Sequence, residues 1–272
     1  MATTAARADE LGTIETNIPA RLDRLPWSRW HWRILIGLGT VWILDGLEVT
    51  IVGSIAGAIS AKGSGIHISS GDIAGWAASL YVAGACFGAL LFGRLTDMFG
   101  RKRLFMVTLG VYLAATIATA FAWTPLFFFA CRFVTGMGIG GEYSAINSAI
   151  DELIPADHRG RIDILINGTY WAGAAAGALL SVAALHIFSP LLDWRVCFGL
   201  GFILGLAILI VRRSVPESPR WLFIHGHEQE AEEVTRDIER QVMESTGAEL
   251  KEPDPDDKIK IEQRKSIGLW EI

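Results

Sequence analysis

Long apolar stretches broken by short charged segments set the pattern of this 272-residue chain. Six apolar blocks stand at about 33–58, 73–94, 104–122, 125–150, 164–188 and 195–211, and about 20 helical residues cross a hydrocarbon core. Most of the blocks reach that length, and the shorter ones lean on flanking aromatics. Gly84 with Gly88, Gly173 with Gly177, and Gly201 with Gly205 stand four apart within spans two, five and six. Small residues at that spacing let helix backbones approach closely. After the last block the pattern changes. Between His227 and Thr246, Ala231, Val234, Ile238 and Val242 make one apolar stripe, and Gly247 is a natural stop. That segment is an amphipathic helix outside the membrane, either packed beneath the bundle or solvated as a linker. The expected fold class is an all-α polytopic membrane protein with six transmembrane helices. A tail occupies 1–32, the bundle 33–211 and a helical linker 212–272, within which Glu252 to Asp257 is a flexible connector and Ser266 to Ile272 turns apolar again.

Composition agrees: 51% of residues are hydrophobic and mean hydropathy is +0.37. The net charge of −5 lies mainly in the tails and points to no nucleic-acid partner. Positive charge gathers at alternate block ends: Arg21, Arg24, Arg29 and Arg33; then Arg94, Arg101, Lys102 and Arg103; then Arg159 and Arg161; then Arg212, Arg213 and Arg220. The opposite loops offer little beyond Lys62 and Arg195. Basic loops stay cytoplasmic, so both termini are expected inside a cell membrane, with the lipid bilayer as the first partner. Met1 to Arg24 lacks a signal-peptide core, so the first span serves as its own insertion signal. Trp27, Trp30, Trp32, Trp76, Trp123 and Trp194 sit at span ends and read as interface anchors. Cys86, Cys131 and Cys197 are scattered among apolar neighbours and read as small buried packing residues. Neither a metal spacing nor a disulfide framework is visible. With no phosphate-cradling loop and no nucleophile–base arrangement, no cofactor, metal or enzymatic activity is implied.

Charges inside the apolar blocks carry the chemistry, because a charge at membrane depth is costly and usually faces a partner or a wet cavity. The stretch Cys131 to Arg161 holds Arg132 and Glu142 among Gly136, Gly138, Gly140 and Gly141. Span one holds Asp45 and Glu48, three apart and on one helical face. At about 1.5 Å per residue, Asp45 lies roughly 18 Å inside the inner edge and Arg132 roughly 10 Å below the outer one. In a core about 30 Å thick these depths are nearly equal. An Asp45–Arg132 ion pair across a cavity is therefore expected, one whose acid exchanges a proton when its partner moves away. Tyr143 returns to nearly the face of Arg132 and is placed in the cavity lining. Glu142 is either a second proton-sensitive site or a partner for charges at the inner gate.

The turn between spans two and three reads Gly93-Arg-Leu-Thr-Asp97-Met-Phe-Gly100-Arg101-Lys102. It resembles the signature loop of the major facilitator superfamily. Three more segments agree, in order and at helix ends. Arg132-Phe-Val-Thr-Gly136-Met-Gly138-Ile-Gly140 resembles the fourth-helix motif. Glu152-Leu-Ile-Pro155 with Arg159-Gly160, and Pro216-Glu217-Ser218-Pro219-Arg220, resemble loops of the sugar-porter branch. The resemblance covers about 33–222. It implies that Asp45 and Arg132, with Glu48 beside them, couple transport to protons. It also implies a cytoplasmic gate of Asp97, Arg101, Glu152, Arg159, Glu217 and Arg220, with Gly93 and Gly100 shaping its loop. Gly141-Glu142-Tyr143 is closer to the metabolite–proton symporter branch, and Asn167 stands where sugar porters often have a glutamine. Asn167 and Trp171, sharing a helix face, are expected to line the substrate cavity with Tyr143 and Glu142. The implied function is secondary active transport of a small polar solute, a sugar or an organic or aromatic acid, by alternating access with proton coupling. Uniport without protons, or a transporter-like receptor, are the alternatives. The family has two six-helix halves, so this chain is expected to be the first half of a longer protein or to pair with a second half.

Overall fold

In the computed structural model, residues 10–212, 216–250 and 258–264 are described. Arg213, the connector Glu252 to Asp257 and the apolar end Ser266 to Ile272 lie outside the described residues. The helices are α1 (Ile18–Asp23), α2 (Arg29–Ser60), α3 (Ser70–Phe99), α4 (Arg101–Ala120), α5 (Pro125–Leu153), α6 (Ala156–Ile187), α7 (Asp193–Arg212), α8 (Pro219–Ile224) and α9 (Glu228–Thr246). The six long helices α2 to α7 match the six apolar blocks. Four of them, α2, α3, α4 and α6, are long and apolar enough by length and composition to cross a membrane. The 29-residue α5 and 20-residue α7 pack among them.

Local chemistry sets the helix ends. Thr124 accepts a bond from the Phe127 amide at 3.3 Å, and Pro125 follows in the first helical position, where its missing N–H costs nothing. Ser28 and His31 close a reciprocal cap on α2. Gly100, at φ 90°, ends α3 and starts α4 in a backbone region that other residues avoid.

The bundle is built from two close pairs, α3 on α5 and α2 on α6, with α4 against α5 and α7. Added Cβ atoms at Gly84 and Gly88 would lie 2.1 and 2.0 Å from the carbonyl oxygens of Phe133 and Met137. From the other side, Gly136 and Gly140 would meet the Tyr81 and Ala85 oxygens at 2.0 and 1.9 Å. Gly46 and Gly173 make the equivalent approach between α2 and α6. Gly201 and Gly205 differ: they receive side chains of Leu47 and Leu113 rather than backbone. The apolar core is thickest at the two ends of the bundle. One end gathers Ile34, Leu38, Ile146, Ile150 and Ile166, the other Ile51, Ile55, Phe128, Trp194 and Phe198.

Four points refine the sequence reading. The tail and linker are not independent: β1 (Glu10–Thr16) and β2 (Ile259–Arg264) pair antiparallel, Ile14 opposite Ile261. Amphipathic α9 is packed, not solvated, with Ala231, Ile238 and Val242 buried against α1, α2 and α8. Trp32, Trp76 and Trp123 are exposed as anchors should be, but Trp30 is buried, and Trp194 is fully buried with its indole N–H on the Ser64 carbonyl at 3.0 Å. Cys131 and Cys197 are buried, whereas Cys86 is exposed.

Candidate functional site

Midway along α2, the face turned toward α5 carries Asp45 and Glu48, which are 4% and 0% exposed. Arg132, 1% exposed on α5, donates through Nη1 to Glu48 and forms a buried ion pair with it. Its guanidinium also lies over the Tyr81 ring, 4.9 Å from the centroid. The Tyr112 hydroxyl stands 3.4 Å from the other Glu48 oxygen. Asp45 is held differently. The hydroxyl of Tyr81 donates to one of its carboxylate oxygens and that of Tyr143 to the other. The Tyr143 ring stacks on Trp42, with centroids 4.5 Å apart and planes within 13°.

The expected Asp45–Arg132 pair is thus corrected to Glu48–Arg132. Depth alone does not separate the two acids. At about 1.5 Å per residue, Asp45 and Glu48 lie roughly 18 and 22 Å in, on either side of the roughly 20 Å of Arg132. The phenols mark the difference: Tyr81 and Tyr143 each bond one oxygen of Asp45, and Glu48 is the carboxylate that takes the guanidinium. Glu142 is fully buried in the same region, close enough for its charge to act on Tyr112 and Tyr143. A Cβ added to its neighbour Gly141 would lie 2.7 Å from Phe92 and 2.8 Å from Thr108.

Asn167 and Trp171 do not join this cluster. Helix α6 turns Ile162, Ile166, Gly173 and Gly177 inward, which carries Asn167 and Trp171 round to the exposed side. Trp171 is 74% exposed, and the Asn167 amide bonds Asp163 of its own helix.

A second set of charges gathers at the α3–α4 turn. Glu217 accepts from the backbone N–H groups of Arg101 at 2.9 Å and Lys102 at 3.2 Å, capping the positive end of α4. A Cβ on Gly100 would sit 2.8 Å from that carboxylate, so glycine serves both the turn and the cap. Arg101 pairs with Glu152 at 2.6 Å, and Glu152 also accepts from the Ser218 hydroxyl. Asp97 gives its carbonyl to the Trp221 indole at 2.9 Å. Arg159 pairs at 2.5 Å with Asp23 of the N-terminal segment. Arg220 is exposed at the start of α8, and Gly93 lies in the last turns of α3. Of the charges assigned to the gate, Arg101 and Glu152 therefore pair directly, Glu217 joins them through the Arg101 backbone and through Ser218, and Arg159 is tied elsewhere.

Tyr81, Tyr112, Trp42, Asp23 and Ser218 were not singled out from the sequence. A phenol inside an apolar span needs a bonding partner, a signal that was available for Tyr81 and Tyr112 and was not used. Asp23 and Ser218 carry no such signal, because they act through tertiary contacts alone.

Residues 32–267 match the family described as sugar (and other) transporter. The niacin transporter NiaP of Acinetobacter baylyi is 31% identical over 224 residues, which are 82% of this chain and 49% of that protein. The inner membrane metabolite transport protein YgcS of Escherichia coli is 29% identical over 214 residues, 78% of this chain and 46% of the relative. The chain spans about half the length of the curated relatives it matches. Among solved structures, the proton:xylose symporter XylE, bound to 6-bromo-6-deoxy-D-glucose, superposes with a TM-score of 0.68 at 20% identity, covering 78% of this chain and 49% of that one. The chain belongs to the sugar (and other) transporter family, whose members are transporters rather than enzymes, and has the fold of one six-helix half of the major facilitator architecture.

Proposed function

We propose that this chain supplies the proton-handling half of a secondary transporter that moves a small polar solute by alternating access. The observation that carries the reading is the buried Glu48–Arg132 pair beside an Asp45 that accepts from the hydroxyls of Tyr81 and Tyr143. An ion pair sealed from water stays ionised only while its partners touch. If the two halves rock about a midplane site and draw α2 and α5 apart, Glu48 loses its counter-ion and takes up a proton. Re-formation of the pair expels that proton to the other side. Asp45, Tyr143 and Trp42 stand next to the pair as a carboxylate, a phenol and an indole face, a set that suits a ring-bearing sugar or an organic or aromatic acid. Glu142 adds a further buried carboxyl. Glu217, Arg101, Glu152 and Ser218 close the inner side in this reading, with both termini cytoplasmic and a second six-helix half completing the cavity.

The test is uptake into proteoliposomes holding the full-length gene product. A panel of labelled sugars, organic acids and aromatic acids is offered with and without an inward proton gradient. Accumulation of one solute only under the gradient supports symport. Uptake indifferent to the gradient leaves facilitated diffusion, and binding without flux leaves a receptor.

A further inference from the structure

Glu48 is fully buried within this one six-helix half, and a carboxylate sealed from water needs a route by which a proton reaches it. The titratable and charged groups around it are Asp45 of its own helix, Tyr81 of α3, Tyr112 of α4, and Arg132, Glu142 and Tyr143 of α5. Helix α7 faces it with Gly201. A Cβ added there would lie 3.6 Å from Leu47, 3.9 Å from the Thr116 methyl and 4.0 Å from Glu48 Oε2. These are ordinary contact distances, so glycine leaves a small open space beside the carboxylate. Two buried polar atoms of the cluster have no bonding partner among the described residues, Thr116 Oγ1 and Arg132 Nε. A buried helical threonine can return its hydroxyl to the carbonyl one turn back. Thr108 does so to Leu104 at 3.0 Å, Thr119 to Ala115 at 2.8 Å and Thr135 to Cys131 at 2.8 Å. Thr116, 0% exposed, does not. One turn before it on α4, the Tyr112 hydroxyl stands 3.4 Å from Glu48 Oε2, beyond the roughly 2.7–2.8 Å of a settled hydroxyl bond. The ordinary partner of an orphan buried hydroxyl in a polar space is an internal water.

We propose that the space at Gly201 is a water site, and that this water is the last carrier of the proton to Glu48. The water bonds Glu48 Oε2, the Thr116 hydroxyl and the Tyr112 phenol, the number of partners that buried waters commonly have. The inference rests on the reading of Glu48 as the proton acceptor. When Arg132 leaves Glu48 Oε1, an excess proton held at this site as hydronium passes to Oε2. One O–H bond of the hydronium breaks and one forms on the carboxylate, leaving a neutral water and a neutral carboxyl. Arg132 keeps its charge throughout. Glycine at 201 then serves the chemistry rather than the packing, since the atoms nearest its added Cβ are side chains at distances that alanine tolerates.

Infrared difference spectroscopy of the purified full-length protein tests this with the proton and heavy-oxygen water as the only probes. Acidification is expected to raise a carboxyl C=O band that Glu48→Gln removes, and to change an O–H stretching band that shifts in heavy-oxygen water. Gly201→Ala fills the space without a clash, and Thr116→Val keeps the shape but removes the hydroxyl. Both are expected to lose the water band. After a rapid acid jump, the Glu48 band is expected to rise at least about tenfold more slowly in either variant, to the same final height. A packing role for Gly201 and Thr116 would leave that rate unaltered. A water band kept in Gly201→Ala overturns the site, and unaltered rates in both variants overturn the relay while Glu48 remains the acceptor. If no carboxyl band depends on Glu48, the relay and the reading it rests on fall together.

Discussion

Arg132 has one carboxylate partner in contact, Glu48, and a ring face, Tyr81, with its Nε unbonded among the described residues. Breaking a buried pair by removing one member leaves an uncompensated charge and costs about 3–5 kcal/mol, whereas removing both costs far less. Arg132→Gln alone is therefore expected to lower thermal stability in detergent more than the Glu48→Gln/Arg132→Gln double variant does. A double variant as unstable as the sum of its singles would show that the two residues do not interact. That charges belong in this cluster was legible in the sequence, since an acid pair and an arginine inside apolar spans have few other uses. The identity of the partner was not. It depends on which carboxylate the phenols of Tyr81 and Tyr143 occupy, and those hydroxyls come from two other helices.

The elements themselves were the most legible part, because a block of about 20 apolar residues has one low-energy state in a bilayer. How the helices pair was only half written. Glycine spacing announces close approach, yet it did not separate Gly84 and Gly88, which touch backbone, from Gly201 and Gly205, which receive side chains. The difference sets the cost of substitution. Gly140→Ala places a carbon 1.9 Å from the Ala85 oxygen, so α3 and α5 must move apart, with an expected loss of about 1–3 kcal/mol and a lower folded yield by size exclusion. Gly110→Ala, with nothing within 4 Å, is expected to be neutral or to gain up to about 1 kcal/mol from helix propensity. Equal behaviour of the two variants would mean that the α3–α5 contact is looser than drawn.

At the scale of the whole molecule, the N-terminal segment and the linker close on each other beneath the bundle. Arg21 reaches Glu239 at 2.7 Å and Glu232 at 2.8 Å, and Arg24 reaches Glu239 at 2.7 Å. Hydrogen bonding to Glu239, partly offset by burial, raises the Arg21 guanidinium further above its usual range. Burial pushes the Glu239 carboxyl up, but the bonds from Arg21 and Arg24 outweigh it and hold the group below its ordinary value of 4.5. A depressed acid stabilises the fold above its unfolded value and stops doing so as pH falls through the folded one. The protection of α9 amides, measured against their intrinsic exchange rate at each pH, is thus expected to be high at neutral pH and to fall below about pH 4.5, and Glu239→Gln should lower it at neutral pH. Protection that is flat across this range would mean that α9 is held by its apolar stripe alone. This clasp was invisible in the sequence because its arginines also satisfy the simpler role of inside-positive charge, and the pairing of β1 with β2 joins segments some 250 residues apart, short strands in which only Ile259-Lys260-Ile261-Glu262 alternates.

The coupling role of the Glu48–Arg132 pair is tested most directly by measuring gradient-driven accumulation and solute counterflow side by side on Glu48→Gln in the full-length protein. Accumulation is expected to vanish while counterflow persists, because exchange needs the site to rock but not to load a proton. Accumulation at the unaltered level by that variant would contradict the assignment.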